Sequence, residues 1–156
     1  MIDILTLKPK AFGLDVSDLC LRIVNLERKR GGFRLSSFGE AEIKPGIIEG
    51  GEIKNIEALG KIIKEAVSKV KGSKIKTKYV ACSLPEEKAF LQIIQMPMMK
   101  EEELKKEVYF ETENYIPLPM EEVYLDYQIA RPVINHLDHF DVLIIAMPKK
   151  VIDPYV

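Results

Sequence analysis

The chain has 156 residues, 47% of them hydrophobic and 30% charged, with a net charge of −1 and a pI near 6.2. That balance supports a packed core in one domain or two small subdomains, excludes a disordered chain, and gives no overall basic field toward nucleic acid or an anionic membrane. The opening MIDILTLKPK lacks the long apolar segment of a signal peptide, and the longest purely apolar run, residues 142–147, is far too short to span a bilayer, so a cytoplasmic location is expected.

Three β-rich runs come first, over residues 11–16, 19–28 and 32–43, separated by Ser17-Asp18 and by Lys29-Arg30-Gly31-Gly32. They read as an antiparallel meander. From Asn55 the period changes: Ile56, Leu59, Ile62, Ile63, Ala66, Val67 and Val70 recur at helical spacing, with Asn55 placed to cap the helix and Gly72 to stop it. Residues 78–84 then form a short buried strand ended by Pro85, and residues 90–96 another closed by Pro97. A second helix is expected over 100–116, with Leu104, Val108, Thr112 and Tyr115 on one stripe and Pro117 and Pro119 ending it. Residues 123–130 and 140–147 make a final strand pair, and 149–156 read as the first turns of a further helix. The order is therefore β-β-β-α-β followed by β-α-β-β.

The turn at Val16-Ser17-Asp18 has two readings. A strand ending in Asp15 before a short polar turn suits phosphate binding, because turn amides converge on an anion, and the same residues spell an ordinary hairpin. Cys20 and Cys82 sit in strand-like runs without metal spacing and read as reduced core residues, with a disulfide between them as the alternative. In NHLDHFD, His136, Asp138, His139 and Asp141 are close in sequence, but an extended chain sends neighbours to opposite faces, so a polar hairpin tip is the simpler reading. Lys69, Lys71, Lys74, Lys76 and Lys78 form a basic run that either touches phosphates or complements the helix end. Tyr109, Phe110 and Tyr115 do not alternate with basic residues as an RNA-stacking surface does, which leaves core or protein interface. No catalytic constellation is visible, and no enzymatic activity is expected.

The stretches FGLDVSDLCLRIV, PGIIEGGEIKNIEAL, LPEEKAFLQIIQMPMMKEEELKKEVYFETENYIPLPMEEVYLDYQ and VLIIAMPKKVID, in that order, resemble the amino-terminal half of the type IV pilus assembly protein PilM family. The most specific part is ETENYIPLPMEEVYLDYQ, residues 111–128. The resemblance implies an α/β (α+β) chain that is a partial actin-like fold, related to the cell-division protein FtsA. Residues 10–86 would be ribonuclease-H-like subdomain 1A (β-β-β-α-β). Residues 87–156 would be the inserted subdomain 1C, or SHS2 (β-α-β-β), incomplete at its C-terminus.

For the site, the resemblance places the first phosphate loop at Asp15, Ser17, Asp18, Leu19 and Arg22. Asp15 and Arg22 fit the family pattern, while Ser17 stands where Gly is usual and Asp18 and Leu19 where Ser or Thr is usual. ATP and Mg²⁺ belong to complete family proteins, and this chain is expected to bind neither, because the second phosphate loop and the adenosine segment come later. The expected partner is the cytoplasmic amino-terminal peptide of a PilN-like inner-membrane protein, held in a groove between 1A and 1C with Leu84, Pro85, Phe90, Val108 and Tyr115 as lining. An extended peptide gains backbone hydrogen bonds from a sheet edge and specificity from side-chain pockets. Pilus motor components and self-association are further expected contacts, nucleic acid is not, and membrane association is expected at the inner face only through the partner. An actin-like ATPase, or an FtsA-like division or secretion scaffold polymerising through 1C, is the alternative.

Overall fold

The computed structural model describes residues 10–130 and 139–156. The chain divides into two compact units, Met1–Pro85 and Glu86–Val156. In the first, β1 (Ala11–Val16), β2 (Cys20–Lys29) and β3 (Gly32–Glu42) form the meander. A small hairpin of β4 (Ile48–Glu49) and β5 (Glu52–Ile53) leads into helix α1 (Ile56–Ser68). The edge strand β6 (Lys71–Gly72) and β7 (Tyr79–Cys82) follow, and the sheet order is β6-β3-β2-β1-β7. β7 runs parallel to β1, with Ala11 opposite Tyr79 and Leu14 opposite Cys82. A parallel pair needs a long crossover, and α1 lies within it.

The pleat sorts these strands cleanly. Phe12 and Leu14 of β1 and Leu21 and Ile23 of β2 are buried with Ile43, Ile48, Leu59 and Ala66 in one core, and Ile62, Ile63, Val67 and Val70 pack against it. Leu59, Ile62, Ile63, Ala66 and Val67 are helical positions that the spacing picks out; Ile56, picked out with them, opens α1 but is 60% exposed, and Val70 lies beyond the helix end. Asn55 caps α1 as expected, its side chain accepting from the Ala58 amide at 2.9 Å. Gly72 is not the helix stop. α1 ends at Ser68, where the Ser68 hydroxyl donates to the Glu65 carbonyl at 2.7 Å and Lys69 closes the last turn. Ending there lets Val70 return to the core and Lys71 pair with Phe38. Gly72 instead permits the close approach of β6 to β3: its φ is +98°, and a Cβ there would stand 2.2 Å from the Ser36 carbonyl oxygen.

The second unit holds β8 (Phe90–Pro97), α2 (Glu101–Glu113), β9 (Val123–Ala130) and β10 (His139–Pro148). The short α3 (Lys149–Ile152) closes it with a 3₁₀ turn over Asp153–Tyr155. β10 is central, antiparallel to both neighbours. Leu104 and Val108 of α2 are buried against Ile94, Met96, Val142 and Ile144. Thr112, also buried, keeps its hydroxyl satisfied by donating to the Val108 carbonyl, which is how a polar residue occupies the stripe. α2 stops at Glu113, three residues short of the expected end, because Pro117 disfavours helix at Ile116. Ile116 instead joins Met120, Val123 and Ala146 in a second cluster. Pro97 ends β8 from within the strand. The expected hairpin tip through Asn135, His136 and Asp138 lies outside the described residues. His139 opens β10 opposite Pro97, with Asp141 3.8 Å from its Nε2.

Two glycines separate structural from permissive positions. Gly72→Ala is expected to lower stability by about 2 kcal/mol, from both positive φ and the clash with Ser36. Gly60→Ala, in open space on α1, is expected to raise it by about 1 kcal/mol. Urea unfolding of the two variants beside the parent chain measures both.

Candidate functional site

The turn after β1 is a closed piece of protein. The Ser17 amide donates to the Cys20 carbonyl at 2.9 Å; the Ser17 hydroxyl donates to the same carbonyl at 3.0 Å and accepts from the Cys20 amide at 3.3 Å. Asp15, at the end of β1, accepts from the Ser83 hydroxyl at 2.6 Å and faces Arg22 across the ladder, with 3.7 Å between Asp15 Oδ2 and Arg22 Nη1. Ser83 also accepts from the Val16 amide at 3.3 Å, so it ties β7 to the turn. Leu19 is 59% exposed, and its carbonyl accepts from the Ile43 amide at 2.8 Å. The Cys82 thiol beside this network is pushed above its ordinary pKa, first by burial and then by the Asp15 charge, so it stays protonated and unreactive at neutral pH. Cys20 and Cys82 are both free and only partly buried.

Asp18 does not point its charge at an empty anion site. Its two carboxylate oxygens accept from the Gly50 and Gly51 amides at 2.7 and 3.0 Å. Gly50 and Gly51 have φ of +54° and +74°, the positive values that a two-residue type I′ hairpin needs. The consecutive amides they present form a small anion cradle, and the protein's own aspartate fills it. Ser17, Asp18 and the Leu19 carbonyl are thus committed to bracing the turn against β3 and the β4–β5 hairpin. The pattern IIEGGEI carries the signal for that hairpin; Ser83 has no comparable mark.

In the second unit a cavity of about 280 Å³ lies beside β8, lined by Phe90, Leu91, Gln92, Tyr115, Ile116 and their neighbours Ala89, Thr112 and Ile144. It exists because α2 ends early. The amides of Tyr115 and Ile116 both donate to the Thr112 carbonyl, at 3.0 and 3.2 Å, and the chain leaves the sheet there. β8 is an edge strand of its sheet, so among the described residues one side of its backbone, next to this hollow, has no strand paired to it. Of the five lining residues expected from sequence, the structure brings Phe90 and Tyr115 together here. Tyr115 is not on the helical stripe; it follows α2 and is 50% exposed. Val108 is wholly buried in the core with Leu104, Ile94 and Val142 and does not line the hollow. Leu84 and Pro85 close the first unit. Tyr109 and Phe110 are exposed, their rings 6.2 Å apart and edge-on, so they are not core.

The sequence model for the family described as "Type IV pilus assembly protein PilM" matches residues 13–156. The chain belongs to the PilM family. A solved structure described as "PilM-PilN type IV pilus biogenesis complex" superposes on it with a TM-score of 0.80 at 25% identity, covering 94% of this chain and 42% of that one. The chain thus spans less than half the length of that relative. The mixed α/β architecture is part of the actin-like fold that PilM has, and the family places the chain in type IV pilus assembly. Among the described residues no helix is long and apolar enough to cross a membrane.

The Asp18 anchor gives a direct check. Asp18→Ala removes an anionic acceptor from two amides, and a stability loss of about 2 kcal/mol is expected; Asp18→Asn, which keeps one acceptor oxygen, is expected to lose about half of that. Equal stability of Asp18→Ala and the parent in urea contradicts the anchoring role.

Proposed function

We propose that the protein acts as a binding scaffold in type IV pilus assembly, holding the cytoplasmic amino-terminal peptide of a PilN-like inner-membrane protein and linking it to the pilus motor. The observation that carries this reading is the hollow beside the β8 edge, where an aromatic pair of sites, Phe90 and Tyr115, stands next to a backbone edge to which, among the described residues, no strand is paired. An extended peptide needs those two things together. The structural relative supports the choice of partner, since its description pairs PilM with PilN.

Calorimetric titration with a synthetic peptide copying the cytoplasmic start of the cognate PilN-like protein tests the proposal. Saturable binding is expected, weakened about tenfold or more by Phe90→Ala or Tyr115→Ala. Lys106→Ala, on the exposed side of α2, is expected to leave it unchanged. Absence of saturable heat, or equal losses in all three variants, contradicts the reading.

Nucleotide is not part of what this chain does by itself in this proposal. Ser17 and Asp18 are engaged by Cys20, Gly50 and Gly51, and Asp15 and Arg22 face each other. A fluorescent ATP analogue with Mg²⁺ is expected to show no saturation up to about 1 mM. Micromolar affinity would assign the turn to phosphate after all.

A further inference from the structure

The near-neutral chain is a basic unit joined to an acidic one. Residues 1–85 carry sixteen Lys and Arg against ten Asp and Glu, whereas residues 86–156 carry seven against fourteen. Within the first unit the cations are concentrated at one end of the sheet. β1 begins at Ala11, and β2 and β3 continue past that level as a hairpin, pairing Glu27 with Arg34, Arg28 with Phe33 and Lys29 with Gly32. Arg28, Lys29, Arg30 and Arg34 are all exposed there.

The crossing from β6 to β7 runs along the same end. Ser73 leaves β6 with its amide donating to the Ser36 carbonyl of β3 at 3.0 Å, and Thr77 arrives at the start of β1, its hydroxyl donating to the Lys10 carbonyl. Between them Ile75 packs on the core while Lys74, Lys76 and Lys78 are exposed. None of the ion pairs among the described residues involves Lys10, Lys74, Lys76 or Lys78. Glu27, the acid of the hairpin, is already engaged: the Ser36 hydroxyl donates to it at 2.9 Å, Arg34 lies 3.3 Å away, and together they hold it below the usual carboxylate pKa.

This end is also apolar on one side. Leu26, Phe33 and Leu35 share the hairpin face opposite Glu27 and Arg34, and Phe33 is 74% exposed. We propose that the hairpin tip and the Lys74–Lys78 crossing form a docking surface for anionic phospholipid headgroups, with the cations in the headgroup layer and Phe33 entering the interface. Charge complementarity selects the occupant, because each Lys or Arg near an anionic bilayer adds about 1 kcal/mol. The exposed leucines and phenylalanine select a bilayer over nucleic acid, since a phosphate backbone gains nothing from aliphatic side chains whereas an interface does. This surface is independent of the peptide hollow and gives the protein a direct route to the membrane in addition to a partner.

Vesicle flotation tests it, using phosphatidylglycerol-containing and pure phosphatidylcholine vesicles. The chain is expected to float only with the anionic vesicles, and to be released by 0.5 M NaCl to a large extent, roughly as screening over a Debye length requires. Lys74→Glu/Lys76→Glu/Lys78→Glu is expected to weaken partitioning by roughly fivefold or more for each cation removed. The matched reversal Lys44→Glu/Lys61→Glu/Lys64→Glu, placed away from this end, is expected to weaken it far less. Phe33→Ser, which leaves the charge intact, is expected to reduce binding while preserving its salt dependence. Absence of flotation with anionic vesicles at low salt, equal effects of the two triple reversals, or tight binding to DNA without flotation would each overturn the proposal.

Discussion

One helix covers one face of the main sheet in each unit, and almost everything else about the molecule depends on that one-sided burial. In the first unit α1 covers the face that carries Phe12, Leu14, Leu21 and Ile23; in the second, α2 covers the face that carries Ile94, Val142 and Ile144. Burying such side chains contributes about 1.5–3 kcal/mol each, so the register of every strand is fixed by which alternate residues face the helix. A one-residue slip would send Arg22 inward and Leu21 outward. The remaining faces are left with Val24, Leu26, Leu35 and Phe38 on one sheet and Leu91 and Ile93 on the other, all exposed. α3 begins to cover the second of these, packing Val151 and Ile152 on Met147 and Ile145.

The same constraint makes the hollow beside β8. Three buried residues one turn apart, Leu104, Val108 and Thr112, hold α2 on the sheet, but the proline at 117 forces the chain away before it reaches the far end of β8. What the helix does not cover is an indentation walled by Phe90 and Tyr115. A longer α2 would fill it. The turn after β1 illustrates the opposite outcome, a place where the anion cradle exists and is already filled by Asp18.

Element type and order were legible because the periodicities are strong: residues 11–16 and 123–130 are strands with the bounds that alternation predicts, and Asn55 caps α1. Two of the misreadings turned on contacts distant in sequence, and the third on a proline whose effect reaches back along the helix. Gly72 looks like a helix stop until Ser36 is placed against it. Tyr115 continues a helical stripe by spacing alone, and only Pro117 and the Ile116 cluster remove it from the helix. Asp18 reads as a charge facing a ligand until Gly50 and Gly51 arrive from 32 and 33 residues away. The two-residue strand β6 and the β4–β5 hairpin are too short for any period to register. Whole-chain charge concealed the most, because the basic surplus of the first unit and the acidic surplus of the second cancel.

The central functional claim is that an extended peptide pairs with the β8 edge over the Phe90–Tyr115 hollow. Hydrogen–deuterium exchange of the chain, with and without saturating PilN-like peptide, reads that pairing at the backbone itself. The account predicts slower exchange in Phe90–Pro97 and in residues 112–116, with Tyr79–Cys82 unchanged. Peptide-induced protection confined to residues 11–53, or none in Phe90–Pro97, would contradict it.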